Sequence, residues 1–249
     1  MALVALTREV PLAINACELT HVQRQPIDLA AARAQHAAYE AALAAARCTV
    51  RRLPPLDGMP DSVFVEDTAV VVDELAVIAR PGAASRRGET SSVAEALRAD
   101  RDVVEILEPG TLDGGDVLQL GKSVYVGLSS RTNAEGARQL AAFLGAYGYH
   151  VRPVEVRGAL HLKSAATRVL GGVLVNPDWI DKSIFDGEVI DVDPGEPFAA
   201  NVLLAGDALL CSTAFPKTNA RLTNVVEVDA SELAKAEGGL TCCSIVFSV

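Results

Sequence analysis

The sequence has no surplus of positive charge. Of 249 residues, 22 are Lys or Arg and 32 are Asp or Glu, a formal net charge of −10. An acidic chain repels phosphate backbones, which argues against nucleic acid as a partner. Long apolar runs are missing too. The longest of them end in charges or turn residues, so no membrane span is expected. The first residues, Met-Ala-Leu-Val-Ala-Leu-Thr-Arg-Glu-Val, meet a charge early and lead into no cleavage-site pattern. The expectation is a cytoplasmic protein. Cysteine is sparse and odd in number: Cys17, Cys48, Cys211, Cys242 and Cys243. Without a secretory signal, that argues against a disulfide framework. No C-x-x-C occurs and the four histidines lie far apart, so a structural zinc site has little support. Trp179 is the one tryptophan, and apolar anchors are too few to define an interface, so monomer and homodimer both stay open.

What is present suits a folded enzyme. Half the residues are hydrophobic, enough for a sizeable core. No linker, low-complexity stretch or charge block marks a boundary, so residues 1–249 read as one domain of mixed α/β type. Four segments share one pattern of apolar run, short turn and second apolar run: Thr68–Ala79, Val117–Leu128, Thr167–Asn176 and Asn201–Ser212. Each predicts a β-hairpin, buried on both faces. Helices are predicted between them: Asp28–Arg47 with Asp28 as N-cap, Thr90–Ala99, Asn133–Tyr147 and a short one at Ser231–Ala236. Leu3–Leu6 and Cys242–Val249 read as strands that can pair and close the fold. The recurrence of hairpin plus helix suggests an internal repeat.

Five clusters can carry chemistry. Asp61-Ser62-Val63-Phe64-Val65-Glu66-Asp67 puts three carboxylates around an apolar strand, where they can grip a guanidinium or simply face solvent. The loop Arg80–Glu89 holds adjacent arginines suited to a carboxylate. Thr111-Leu112-Asp113-Gly114-Gly115-Asp116 combines a sharp turn with aspartates that can orient an imidazole or serve as turn residues. His161 lies between leucines at a strand start; such a histidine is either a satisfied core residue or a tuned acid–base group. Gly238-Gly239-Leu240-Thr241-Cys242-Cys243-Ser244 offers two cysteines facing opposite ways, with Cys242 nearer the glycine turn. Each cluster alone is as well explained by packing or solvation.

Together they resemble the dimethylarginine dimethylaminohydrolases, guanidine-modifying enzymes of the pentein superfamily. The matching stretches are DSVFVED (61–67), RPGAASRRGE (80–89), TLDGGDVL (111–118), SSRTNAEGA (129–137), LHLKS (160–164), AAN (199–201) and GGLTCCS (238–244), in the family's order and over most of the chain. The resemblance implies a five-bladed α/β propeller with pseudo-fivefold ββαβ repeats. It implies hydrolysis of Nω-methylated arginines to citrulline and a methylamine, with no cofactor and no metal. It makes Cys242 the nucleophile, His161 the acid–base group and Asp113 the carboxylate that orients it. Asp61, Glu66 and Asp67 become the substrate-gripping acids. Arg86 and Arg131 become the α-carboxylate ligands, Leu19 a lid residue and Ala236 a backbone contact. A cationic substrate beside Cys242 would favour its thiolate, so the thiol is expected to ionise mainly on binding.

Overall fold

The computed structural model describes residues 2–249. Among the described residues, fifteen strands fall into five three-stranded sheets of one design. An antiparallel hairpin is followed by a crossover and a third strand parallel to the hairpin's second. In chain order, β1 (Leu3–Arg8), α1 (Leu29–Ala45) and β2 (Cys48–Leu53) begin the first sheet. The second has β3 (Ala69–Val71), β4 (Leu75–Ile78), α2 (Thr90–Leu97) and β5 (Asp102–Glu105). The third has β6 (Val117–Leu120), β7 (Ser123–Leu128), α3 (Ala134–Gly145) and β8 (His150–Glu155). Then come α4 (Leu162–Ala165) and the fourth sheet, β9 (Ala166–Val169), β10 (Gly172–Val175) and β11 (Glu188–Asp191). The fifth has β12 (Leu203–Ala205), β13 (Ala208–Ser212), α5 (Pro216–Asn219) and β14 (Val225–Val228). After α6 (Ser231–Ala234), β15 (Ile245–Ser248) returns to pair antiparallel with β1, so the chain's last strand completes the sheet its first strand began. The architecture is the five-bladed α/β propeller.

All four expected hairpins form. Gly121, Gly171 and Gly206 take positive φ at three of their tips, a region where a side chain would strain the turn. Asp28 caps α1 by accepting from Ala30 and Ala31 N–H, and Asn133 caps α3 by accepting from Gly136 N–H. Two expectations change. Residues 61–68 are not a strand: Val65–Thr68 is a 3₁₀ turn, and Arg86 rather than a neighbouring strand takes the carbonyls of Asp61 and Phe64. Cys242 likewise lies in a 3₁₀ turn, Thr241–Cys243, ahead of β15.

The hairpins' first strands, β3, β6, β9, β12 and β15, surround a central cavity of about 640 Å³. Among the described residues no helix is long and apolar enough to cross a membrane.

Candidate active site

Cys242 and Cys243 part company in their turn. Cys243 is 1% exposed and its thiol donates to Gly239 O at 3.5 Å, inside the core cluster under α1. Cys242 is half-buried, and its Sγ accepts from the Gly239 N–H at 3.3 Å. His161 lies at the entry to α4, not at a strand start. Asp113 Oδ2 stands 3.0 Å from His161 Nε2, and the other ring nitrogen, Nδ1, faces Asp67 Oδ1 at 3.9 Å. That second distance is too long for a hydrogen bond and leaves Nδ1 open toward the site. Asp116 Oδ1 accepts from Leu162 N–H at 2.9 Å and so fixes the helix start that carries the ring. Gly115 has to be glycine here, because a Cβ would stand 2.8 Å from His161 Nδ1.

Asp67 is buried, with one internal bond to each carboxylate oxygen. It accepts from Gly115 N–H at 3.0 Å and from Arg86 Nη1 at 2.5 Å. The rest of the Arg86 fork goes to Glu89 and to the carbonyls of Asp61 and Phe64. Arg86, expected as an α-carboxylate ligand, therefore lines the cavity with its fork engaged by internal partners. Arg131 is the freer fork: Nη2 lies 3.3 Å from Glu18 Oε2 on the exposed 18–22 segment. Asp61 Oδ2 accepts from the Glu18 N–H at 3.2 Å.

Asp61, Asp67, Arg86, Arg131, His161 and Cys242, with Ala236, line one small cavity. Three expected residues do not line it. Asp113 stands behind the imidazole, against its Nε2. Leu19 packs against the α1 core cluster instead of covering the cavity. Glu66 is turned away from Asp67, because consecutive residues of a tight turn diverge; its carboxylate is taken by Lys163 Nζ and Thr241 Oγ1, each at 2.7 Å. Two lining acids were not anticipated. Glu18 neighbours Leu19. Glu237 accepts from three successive backbone N–H groups, Thr20, His21 and Val22, and so holds the 18–22 segment in place. The pairing joins opposite ends of the chain, and no local pattern announces it. The cavity is small, with about 20 Å³ of space for water.

Electrostatics sets the resting protonation. Burial, then Glu66 and Asp67, push the Cys242 thiol up to about 12. Burial opposes charge on His161, yet Asp67, Asp113 and Asp116 prevail and lift it to about 9. Burial also opposes charge on Asp67, but His161, Arg86 and the Gly115 N–H hold it down at about 2. At neutral pH the site thus holds a thiol, an imidazolium and a carboxylate. Asp67, Asp113 and His161 offer ligand atoms within 4.8 Å of one another, a spacing a metal could use. Those groups are already paired internally, and a metal would have to displace those contacts.

The chain is similar to several known proteins over most of its length. The family model described as arginine deiminase matches residues 23–154. The N(G),N(G)-dimethylarginine dimethylaminohydrolase of Streptomyces coelicolor is 44% identical, over 91% of this chain and 90% of its own length. The chain belongs to the dimethylarginine dimethylaminohydrolase family. The Pseudomonas aeruginosa dimethylarginine dimethylaminohydrolase is 37% identical, over 88% of this chain and 90% of its own. The structure of its cysteine-to-serine variant complexed with citrulline covers 99% of this chain and 100% of that one, with a TM-score of 0.94 and 35% identity. A histidine-to-glycine dimethylarginine dimethylaminohydrolase, solved as an adduct with S-methyl-L-thiocitrulline, has a TM-score of 0.93 at 33% identity, covering 99% and 100%. The N-terminal domain of ArgZ, a cyanobacterial arginine dihydrolase, shares the fold at a TM-score of 0.88 and 18% identity, covering 99% and 97%.

Proposed function

We propose that residues 1–249 act as one guanidine-modifying domain that hydrolyses Nω-methylated arginine to citrulline and a methylamine, with Cys242 as nucleophile. The observation that carries this reading is the meeting of Cys242, the Asp113-backed His161 and the buried Asp67 around one cavity. The citrulline and thiocitrulline ligands of the two family structures support it.

The substrate's charge completes the site. A guanidinium beside Asp67 adds a positive charge next to Cys242 and offsets the carboxylates that raise its thiol, and the thiol proton leaves to solvent. The thiolate adds to the central carbon. His161, protonated in the resting state, gives its proton to the methylamine nitrogen, and the C–N bond breaks to leave an S-alkylthiouronium. His161 then takes a proton from water. The hydroxide attacks the same carbon, the C–S bond breaks as the new hydroxyl's proton passes to the departing Cys242 sulfur, and citrulline is released with the resting thiol restored. Asp113 keeps the ring oriented throughout, and Arg86 holds Asp67 in place.

One consequence concerns the thiol. Cys242 alkylation, followed against pH by peptide mass, should show a markedly lower pKa with a non-reacting cationic amidine bound than without it. An equal pKa in the two states would remove substrate-assisted ionisation from the account.

At the other end, the substrate α-carboxylate displaces Glu18 from Arg131, and Asp61 faces the α-ammonium. Losing a charged hydrogen-bonded pair of about 1.5–3 kcal/mol, Arg131→Ala should raise KM for dimethylarginine about 10- to 100-fold. Turnover of a methylguanidine lacking the carboxylate should hardly change; an equal loss on both substrates contradicts the assignment.

Five free cysteines suit a reducing compartment, which supports a cytoplasmic setting. The direct test of function is product analysis, with arginine and its mono- and dimethyl forms offered side by side. Citrulline and dimethylamine in equal amounts from dimethylarginine is the expected result; ammonia from arginine alone would assign a deiminase instead.

A further inference from the structure

A closed circuit of hydrogen bonds lies between the small cavity and the central one. Lys163 Nζ donates to Glu66 Oε1 at 2.7 Å. Thr241 Oγ1 donates to Glu66 Oε2 at 2.7 Å. Asn201 Nδ2 donates to Thr241 Oγ1 at 3.0 Å and to the backbone oxygen of Lys163 at 3.2 Å, which returns the circuit to its start. Asn201 Oδ1 accepts from the Thr241 N–H at 3.1 Å, so the amide grips Thr241 at two points. Glu66, Lys163 and Thr241 line the central cavity, and none lines the small one.

Three of the four members sit next to a group assigned to the chemistry. Glu66 precedes Asp67, Lys163 follows His161 by two residues, and Thr241 precedes Cys242. Asn201 is the exception. It comes from the approach to β12 and reaches both the histidine's helix and the cysteine's turn. It also backs Gly239, where a Cβ would overlap its amide. Gly239 supplies the N–H that meets Cys242 Sγ at 3.3 Å.

We propose that Asn201, acting through Thr241, is a positioning residue that holds the Cys242 turn in register with His161. It touches neither reacting group. Its effect is geometric: it ties the Thr241–Cys243 turn to the carbonyl of Lys163, so that the nucleophile and the proton donor move as one body. Without that tie the turn is held on this side by the Glu66–Thr241 bond alone, and Gly239 loses the amide behind it. A displacement of about 1 Å at a nucleophile can cost about 10²-fold in rate. The inference rests on Cys242 being the nucleophile, as proposed above.

The test compares the parent, Asn201→Ala, Thr241→Val and Thr241→Ser. Two readouts are taken: steady-state kinetics on dimethylarginine and the rate of Cys242 alkylation by iodoacetamide, read by peptide mass. Thr241→Val removes the hydroxyl's bonds to Asn201 and Glu66 at constant volume, leaving Asn201 only the Thr241 backbone N–H, and carries the test if Asn201→Ala fails to fold. The expected result is a kcat about 10²-fold lower for Asn201→Ala and Thr241→Val, with KM and citrulline affinity within about threefold of the parent. Thr241→Ser keeps the hydroxyl and should retain most of the turnover. Alkylation of Cys242 should slow in the two impaired variants and not in Thr241→Ser. A kcat within about twofold of the parent, or a rise in KM that matches the fall in kcat, overturns the proposal. Should the parent release no citrulline, the functional reading fails on that ground, and an unchanged alkylation rate would still overturn the positioning role.

Discussion

Cys242→Ser should lower kcat by on the order of 10⁵-fold or more and leave citrulline binding intact. A serine hydroxyl ionises far less readily than even the raised Cys242 thiol, and guanidinium, with its charge delocalised, is a poor electrophile that needs a strong nucleophile. Binding survives because Asp67, Arg131 and Asp61 are untouched. Cys243→Ser is the matched control: its side chain points into the core under α1, away from the cavity, so turnover per folded molecule should stay near the parent's. Turnover within about tenfold of the parent in Cys242→Ser, or loss confined to Cys243→Ser, would move the nucleophile to the other cysteine.

The second large effect falls on His161. His161→Gly should lower kcat on dimethylarginine about 10³- to 10⁴-fold, because an amine leaves poorly without a proton. A substrate whose leaving group is a thiolate separates the two jobs of the imidazole. S-methylthiocitrulline expels methanethiolate without a general acid, so the variant should still form the covalent adduct and then stall, for want of a base to activate water. A histidine-to-glycine relative solved with that adduct motivates the experiment. Equal impairment of adduct formation with both substrates would mean that His161 is needed for attack itself. Gly115→Ala should mimic a milder loss by crowding the same ring.

How much of this was legible depended on whether the cause was local. Asp28 and the alanine-rich run after it specify α1 within a few residues, and the structure has that helix, capped as expected. The hairpins were legible because two apolar runs and a turn are contiguous, and the ring closure because Leu3–Leu6 and Ile245–Phe247 are both short unbroken apolar stretches. The third strands were not. β8, His-Val-Arg-Pro-Val-Glu, is a half-exposed edge, charged and carrying a proline, and such edges are built to look unlike strands. The resemblance to the family supplied them as parts of a repeating blade.

The site divides the same way. Its inventory came from motifs, but its directions did not. Asp67 and Glu66 are adjacent and chemically alike, and only the turn at Val65–Thr68 decides that one meets the small cavity and the other the central one. Arg86 has a fork like that of Arg131, but Glu89 three residues on, together with Asp67, takes it up. The hold of Glu237 on the 18–22 segment and the reach of Asn201 are contacts between distant parts of the chain. Nothing within either stretch carries a signal for them.

The account turns on a bond between Cys242 and the guanidinium carbon. Acid quenching during turnover of dimethylarginine, followed by mass analysis of the cysteine peptides, tests that most directly. The predicted result is an adduct on Cys242 alone, with the mass of substrate less dimethylamine, rising and decaying ahead of citrulline release. Citrulline formed with no adduct at Cys242, or with the adduct on another residue, would contradict it.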